Sequence, residues 1–243
     1  MHDVLIVGGG VAGRSAAIFT ARAGLDTLVV SHDESILRRN AHLENYPGFP
    51  AGVDARLLLS MMRDQAERAG VAFTDDRVVD VAREADGFAV TGERSSYEAR
   101  RVIAASWAES GYLDGLDVER EQRGSKQFVV PDEAGHTNVD GLYAAGRLAA
   151  QYHQTVVAAG HGAQVGLTVV HDSDVPFYHD WVVPEGYFTG RGREVPPGCE
   201  EIDEAERGRR ERASREVMQA YFAEPHPGKP TQHPSVRDAE ASE

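Results

Sequence analysis

Gly8, Gly10 and Gly13 follow a short apolar run near the start of the chain, in the spacing G-x-G-x-x-G. Each position in that spacing has its own steric reason. The first glycine permits a tight turn, the second lets the main chain approach a diphosphate, and the third lets a helix pack closely on the preceding strand. A helix opening at Val11 and Ala12 adds free N–H groups and the positive end of its dipole, both of which favour phosphate oxygens. The chemistry on offer is dinucleotide binding, with a glycine-rich turn that holds no ligand as the plain alternative. The acidic residue that usually closes such a site on a ribose hydroxyl is missing. Ser31 stands in its place, followed by His32 and Asp33, so the glycines alone leave FAD and NAD both open.

Other reactive side chains are sparse. Cys199 is the only cysteine, so neither an intrachain disulfide nor a C-x-x-C redox pair exists in the chain. Among 10 histidines, His153, His161, His171 and His179 are spaced too widely for an i, i+4 metal pair. No cysteine or carboxylate cluster completes a metal site, and solvated or core histidines are expected instead.

The elements that must position the glycines can be read around them. Val4 to Val7 is a buried strand, an Ala-rich helix runs to Gly24, and Thr27 to Val30 is a second strand. A polar loop follows, then a periodic helix from Asp54 to Ala69. "VAFTD", "RVVDVARE", "GFAVTG" and "YEARRVIAAS" read as successive short strands with turn signals between them. Another buried run ends at Gly146. A helix from Thr155 to His171 then carries Ala158, Ala159, Gly162, Ala163 and Gly166 on a face that demands a very close neighbour, a strand or a flat ligand. Past Asp172 the chain is aromatic and rich in Pro and Gly. A charged helix from Ile202 to Phe222 is expected to be interrupted at Gly208, and residues 224–243 have the composition of a disordered tail.

Composition narrows the class. Asp+Glu 39 against Lys+Arg 25 gives a formal net charge of -14, which repels nucleic acid and anionic membranes. Lys126 and Lys229 are the only lysines. Such a composition suits a salt-rich cytoplasm, an ordinary acidic protein being the bland alternative. No apolar stretch approaches the roughly 20 residues of a membrane-spanning helix, and a cytoplasmic location is expected.

Several ordered motifs, "GGGVAG", "ENYPGFP", the strand series, "VIAAS", "VDGLYAAGR" and "YHQTVVAAGHG", resemble the FAD-binding domain of the low-molecular-weight thioredoxin reductases, members of the pyridine nucleotide-disulfide oxidoreductase superfamily. The resemblance covers residues 1–171. It implies an α/β, Rossmann-like FAD-binding three-layer fold with a parallel sheet and an antiparallel β-meander, extended here by an irregular and helical C-terminal segment. It also implies that Asn45 in the "ENYPGFP" loop, Ala105, and Gly146 with Arg147 border the cofactor. Gln154, Thr155 and Val156 would present a helix N-terminus to the flavin ring, where negative charge gathers on two-electron reduction.

Departures from the family are as informative. Where it inserts a second nucleotide domain and its dithiol, this chain passes from Ser106 to Asp140 in 34 residues, and a nucleotide domain needs on the order of 100. Thioredoxin reduction by the family's mechanism is therefore excluded for this chain. The family's acidic partner of the ribityl hydroxyls is replaced by Arg147, which only donates; a turn toward the diphosphate would suit it. His161 lies one to two turns into the flavin-facing helix and is a candidate proton donor, with a hydrogen-bonded packing role as the alternative.

The expected organisation is an FAD-binding domain over 1–172, a C-terminal extension over 173–223 and the tail. Two functions stand. One is a single-domain FAD-dependent oxidoreductase supplied with electrons by NAD(P)H or an electron-donor protein. The other is a non-catalytic nucleotide-binding or interaction module on the same scaffold. The aromatic segment from Phe177 to Phe188 could cover the flavin, pack on the sheet or make a homodimer contact. Val217, Met218, Tyr221 and Phe222 read as a docking or oligomer surface.

Overall fold

The computed structural model describes residues 1–32, 34–233 and 236. Strand β1 (His2–Val7) is apolar and alternates its side chains between two buried faces; Gly8 ends it in a turn that opens helix α1 (Val11–Arg22). Strand β2 (Thr27–Ser31), helix α2 (Ala55–Arg68) and strand β3 (Ala72–Asp75) follow, then β4 (Val78–Glu84), β5 (Gly87–Gly92) and the long β6 (Ser96–Ala104). These strands and β9 (Leu142–Ala144) make one sheet in the order β3-β2-β1-β6-β5-β4, with β9 also on β6. β6 serves two purposes. Its first half pairs antiparallel with β5, while its second half lies parallel between β1 and β9, in register through Val7, Ala104 and Ala144.

Strand periodicity divides the core into two layers of side chains. Val4, Ile6, Val29 and Ile103 face α1 and helix α3 (Thr155–His171), while Leu5, Val7, Leu28 and Val102 face the meander and the segment that follows it. The result is the expected three-layer α/β architecture. The resemblance puts the whole strand series, "VAFTD" included, in the antiparallel meander, but "VAFTD" is the parallel edge strand β3 on β2. Its short alternating pattern carries no information about partner direction.

The close neighbour of the small-residue face of α3 is a helix, not the strand or flat ligand expected. That helix is α1: a Cβ on Gly162 would lie 2.1 Å from the Ala12 carbonyl oxygen, and one on Gly166 would lie 2.7 Å from that of Ala16. The interval after β6 holds an antiparallel hairpin, β7 (Arg120–Arg123) and β8 (Lys126–Val129), whose mostly polar residues gave no strand signal.

Two further corrections concern the C-terminal part. β10 (Trp181–Pro184) and β11 (Cys199–Ile202) form a small parallel ribbon inside the segment that lacked periodicity, and helix α4 (Glu204–Phe222) runs through Gly208 without a break. One glycine costs only about 1 kcal/mol in a helix, and Arg207, Arg209 and Arg210 tie this one together through Glu204, Glu206 and Glu211. The apolar end of α4 docks within the chain. Tyr221 donates to Asp64 at 2.9 Å, and the rings of Phe222 and Phe49 are 6.3 Å apart. Of the expected disordered tail, residues 224–233 have a described path, with the Thr231 N–H on the Arg38 carbonyl at 3.1 Å. Residues 234–235 and 237–243 lie outside the described ones, as does Asp33.

Candidate functional site

The carboxyl ends of the parallel strands β2, β1, β6 and β9 lie side by side, the place where open α/β sheets bind ligands. Backbone hydrogen bonds stitch the chain together just beyond them: Gly8 to Val30, Ala105 to Val7, and Ala145 to Ala104, at 2.8–2.9 Å. Around this edge the structure brings together Gly8, Gly10, Val11, Ala12 and Gly13 from the first turn, Ser31 from β2, Ala105 after β6, and Gly146 and Arg147 after β9.

The glycines of the first turn differ in what demands them. Gly8 has φ +112° and a Cβ there would lie 2.7 Å from the Ala105 carbonyl oxygen; one on Gly13 would lie 2.0 Å from the Gly8 carbonyl oxygen. Both are required by the fold itself. Gly10 is not: its φ of -77° suits any residue, and the nearest atom to a Cβ would be the Ser35 hydroxyl at 3.8 Å. The space in front of Gly10 is open, at the start of a helix whose first turn has no side-chain cap. Ser31 closes the other side, its hydroxyl 2.7 Å from where a Cβ on Gly9 would sit.

α3 also begins without a side-chain cap. Gln154 holds the capping position, and its side chain instead accepts from the Asn45 amide at 2.9 Å, which joins the "ENYPGFP" loop to the helix start. The N–H groups of Thr155, Val156 and Val157 consequently have no partner within the helix. The other two long helices are closed: Asp54 accepts from the N–H groups of Arg56 and Leu57, and Asp203 from that of Glu206.

His161 is buried at 9 % exposure, and its Nδ1 accepts from the Gly146 N–H at 2.9 Å. An accepting Nδ1 requires the neutral ring with its proton on Nε2, and burial favours that form by lowering the pKa. Arg147 lies over Phe128 of β8, 4.8 Å from the ring centre, and donates to the Gln151 carbonyl at 2.8 Å. Ser106 is turned into its own loop, donating to the Glu109 carbonyl at 2.6 Å and meeting the Tyr112 hydroxyl at 2.7 Å. Tyr112 is buried, and burial raises its pKa.

These residues fit the diphosphate of FAD through the open cradle at Gly10 and the uncapped first turn of α1. The free start of α3 fits the anionic end of a flavin. An open groove of about 600 Å³ elsewhere, lined by Arg63, Asp64 and Tyr221, contains none of the predicted site residues. No helix among the described residues is long and apolar enough to cross a membrane.

Sequence reasoning missed Trp107, Lys126 and Phe128, which surround Arg147 and His153. Its one usable signal was the scarcity of lysine, since Lys126 is one of only two in the chain.

Residues 3–43 match a family model described as an FAD binding domain. The thioredoxin reductase of Rickettsia bellii is 40% identical over 124 residues, which are 50% of this chain and 40% of that protein. That of Aquifex aeolicus is 38% identical over 132 residues, 53% of this chain and 39% of the relative. The chain thus spans about two fifths of the length of these relatives. Among solved structures, a thioredoxin reductase from Gloeobacter violaceus superposes with a TM-score of 0.64 at 17% identity, covering 73% of this chain and 98% of that one. The one from Streptococcus pyogenes does so with 0.65 at 16% identity, covering 70% and 97%.

The fold is that of a Rossmann-like α/β protein, and the FAD binding domain model matches its first strand–turn–helix unit. Within that class the chain carries a thioredoxin-reductase-like FAD-binding domain, homologous to those relatives but divergent from them, and it has a single cysteine and hence no dithiol.

Proposed function

We propose that the chain binds FAD across the carboxyl edge of its sheet and works as a dithiol-free flavin oxidoreductase, taking electrons from NAD(P)H or an electron-donor protein. In this reading Gly8, Gly10, Val11, Ala12 and Gly13 hold the diphosphate, Ser31 meets the adenosine ribose, and Ala105 and Gly146 border the cofactor. Asn45, Gln154, Thr155 and Val156 meet the flavin ring. When bound, the flavin supplies two-electron transfer. The chain's own residues supply the rest: the open N–H groups of α3 favour negative charge at the ring. His161, neutral and with its proton on Nε2, is the titratable side chain buried within that helix and the candidate proton donor.

The observation that carries the proposal is Gly10. The fold leaves room for a side chain there, so a ligand's approach is the reason for its absence.

Gly10→Ala is therefore a clean test. The added methyl meets no protein atom closer than 3.8 Å but occupies the phosphate approach. Fluorescence titration with FAD should show affinity falling at least about tenfold, with the thermal midpoint of the apoprotein unchanged. No saturable binding by the wild type would reject the flavoprotein reading in favour of the non-catalytic module; equal FAD affinity in the variant would remove the diphosphate from Gly10.

A further inference from the structure

Lys126, Arg147 and His153 gather beside the candidate site, Arg147 one residue after Gly146 and His153 one before Gln154. None has a carboxylate partner among the described residues. The chain has 39 acidic residues against 25 Lys and Arg, so acids to pair with are plentiful, yet none among the described residues reaches these three groups. Arg123, on the same hairpin and 5.9 Å from the same Phe128 ring, is paired with Glu121 at 2.6 Å.

What holds the three basic groups is neutral. The Lys126 ammonium sits 5.2 Å from the centre of the Trp107 ring, and the His153 ring meets Trp107 edge-on at 4.6 Å. The Arg147 guanidinium rests on Phe128 and on the Gln151 carbonyl, and its Nε is buried with no hydrogen-bond partner. Such contacts fix the position of positive charge without neutralising it. Trp107 holds its place at φ +31°, a left-handed conformation that bulky side chains rarely adopt. Lys126 and Phe128 come from the β7–β8 hairpin, which occupies the interval where the family resembled by this chain inserts its second nucleotide domain.

We propose that Lys126, Arg147 and His153, framed by Trp107 and Phe128, form an anion subsite for the phosphate or carboxylate head group of a small redox substrate. The substrate's redox role rests on the flavoprotein reading above; the recognition of the anion does not. Arg147 in this assignment serves the substrate, and the cofactor's diphosphate is left to the first glycine turn.

The test is calorimetric titration of the full chain, with and without saturating FAD, using 1-naphthyl phosphate, 2-naphthoate and neutral 2-naphthamide. The two anions should bind saturably and the amide at least about tenfold more weakly, and the tighter of the two anions identifies the head group. Lys126→Met and Arg147→Met should each weaken the anions about fivefold while leaving FAD affinity and the thermal midpoint unchanged. Gly10→Ala should do the reverse, losing FAD and keeping the anions. Anions that bind no tighter than the amide would overturn the subsite. So would Met variants that lose FAD affinity as steeply as anion affinity, since the cluster would then serve the cofactor. A wild type that binds the anions but not FAD would leave the subsite standing and reject only the flavoprotein reading.

Discussion

The four long helices divide by how their first turns are finished. α2 and α4 start at Asp54 and Asp203, whose carboxylates accept from the free N–H groups of the turn. α1 and α3 start at Gly10 and Gln154 with no side-chain cap. Both uncapped helices begin beside the carboxyl ends of β1 and β9, whereas α2, the crossover from β2 to β3, and α4, in the C-terminal segment, have first turns that Asp54 and Asp203 already complete. An uncapped first turn forgoes about 1 kcal/mol. Leaving two such turns open at one edge has a purpose if an anion completes them, and FAD offers a diphosphate to one and an electron-rich ring to the other.

That contrast can be broken or sharpened by substitution. The largest effect is expected at Asp54→Ala, which removes a cap and also leaves Arg56, at 1 % exposure, without its carboxylate partner. Stability to urea should fall by about 3 kcal/mol with FAD affinity unchanged; a parallel loss of FAD would erase the distinction between the two pairs of helices. Burial disfavours the Asp54 carboxylate, but hydrogen bonds from Arg56 and from the N–H groups of the first turn hold its pKa below the usual value. Its contribution is accordingly present above about pH 4 and lost as pH falls through the lower folded value, so the stability advantage of wild type over Asp54→Ala should shrink in acid, which urea unfolding at a series of pH values would show.

Gly10→Ala is expected next in size, at least about 1.4 kcal/mol in FAD binding with almost none in stability. Asp203→Ala should cost about 1 kcal/mol, visible as a loss of helical circular dichroism and not in FAD titration. The smallest effect concerns the opposite end of α3. There His136 bridges Asp132 at 2.9 Å and Asp172 at 2.8 Å, and Tyr143 also donates to Asp172. The Asp132 hydrogen bond, opposed by burial and aided by Asp172, raises the His136 pKa. Its stabilisation is therefore full below about pH 6.5 and fades as pH rises through the folded value. Because the group is exposed the change should be well under 1 kcal/mol, and His136→Gln should flatten it in melts taken across that range.

Legibility followed the range of the interactions involved. α3 spans Thr155–His171, as its periodicity and flanking residues predict, and the turn from β1 into α1 is where the glycines put it. Those features depend on residues a few positions apart. β3 was misassigned because strand direction depends on a partner 40 or so residues away, and the β7–β8 hairpin was missed because exposed polar strands have no apolar alternation to read. The stripe on α3 was recognised as a close-packing face, but its partner was not, since small residues admit a strand, a helix or a ligand equally well.

The sequence by itself determined the glycine turn and the single cysteine, because backbone sterics and a residue count need no coordinates. Only the tertiary structure separated Gly10 from Gly8 and Gly13, by showing which glycine faces open space and which face backbone. It alone joined Lys126 of the hairpin, Arg147 after β9 and His153 before α3 into one unpaired set of basic groups. The reason is physical: whether a charge finds a counter-charge depends on which distant segments fold against it, and spacing along the chain is silent about that.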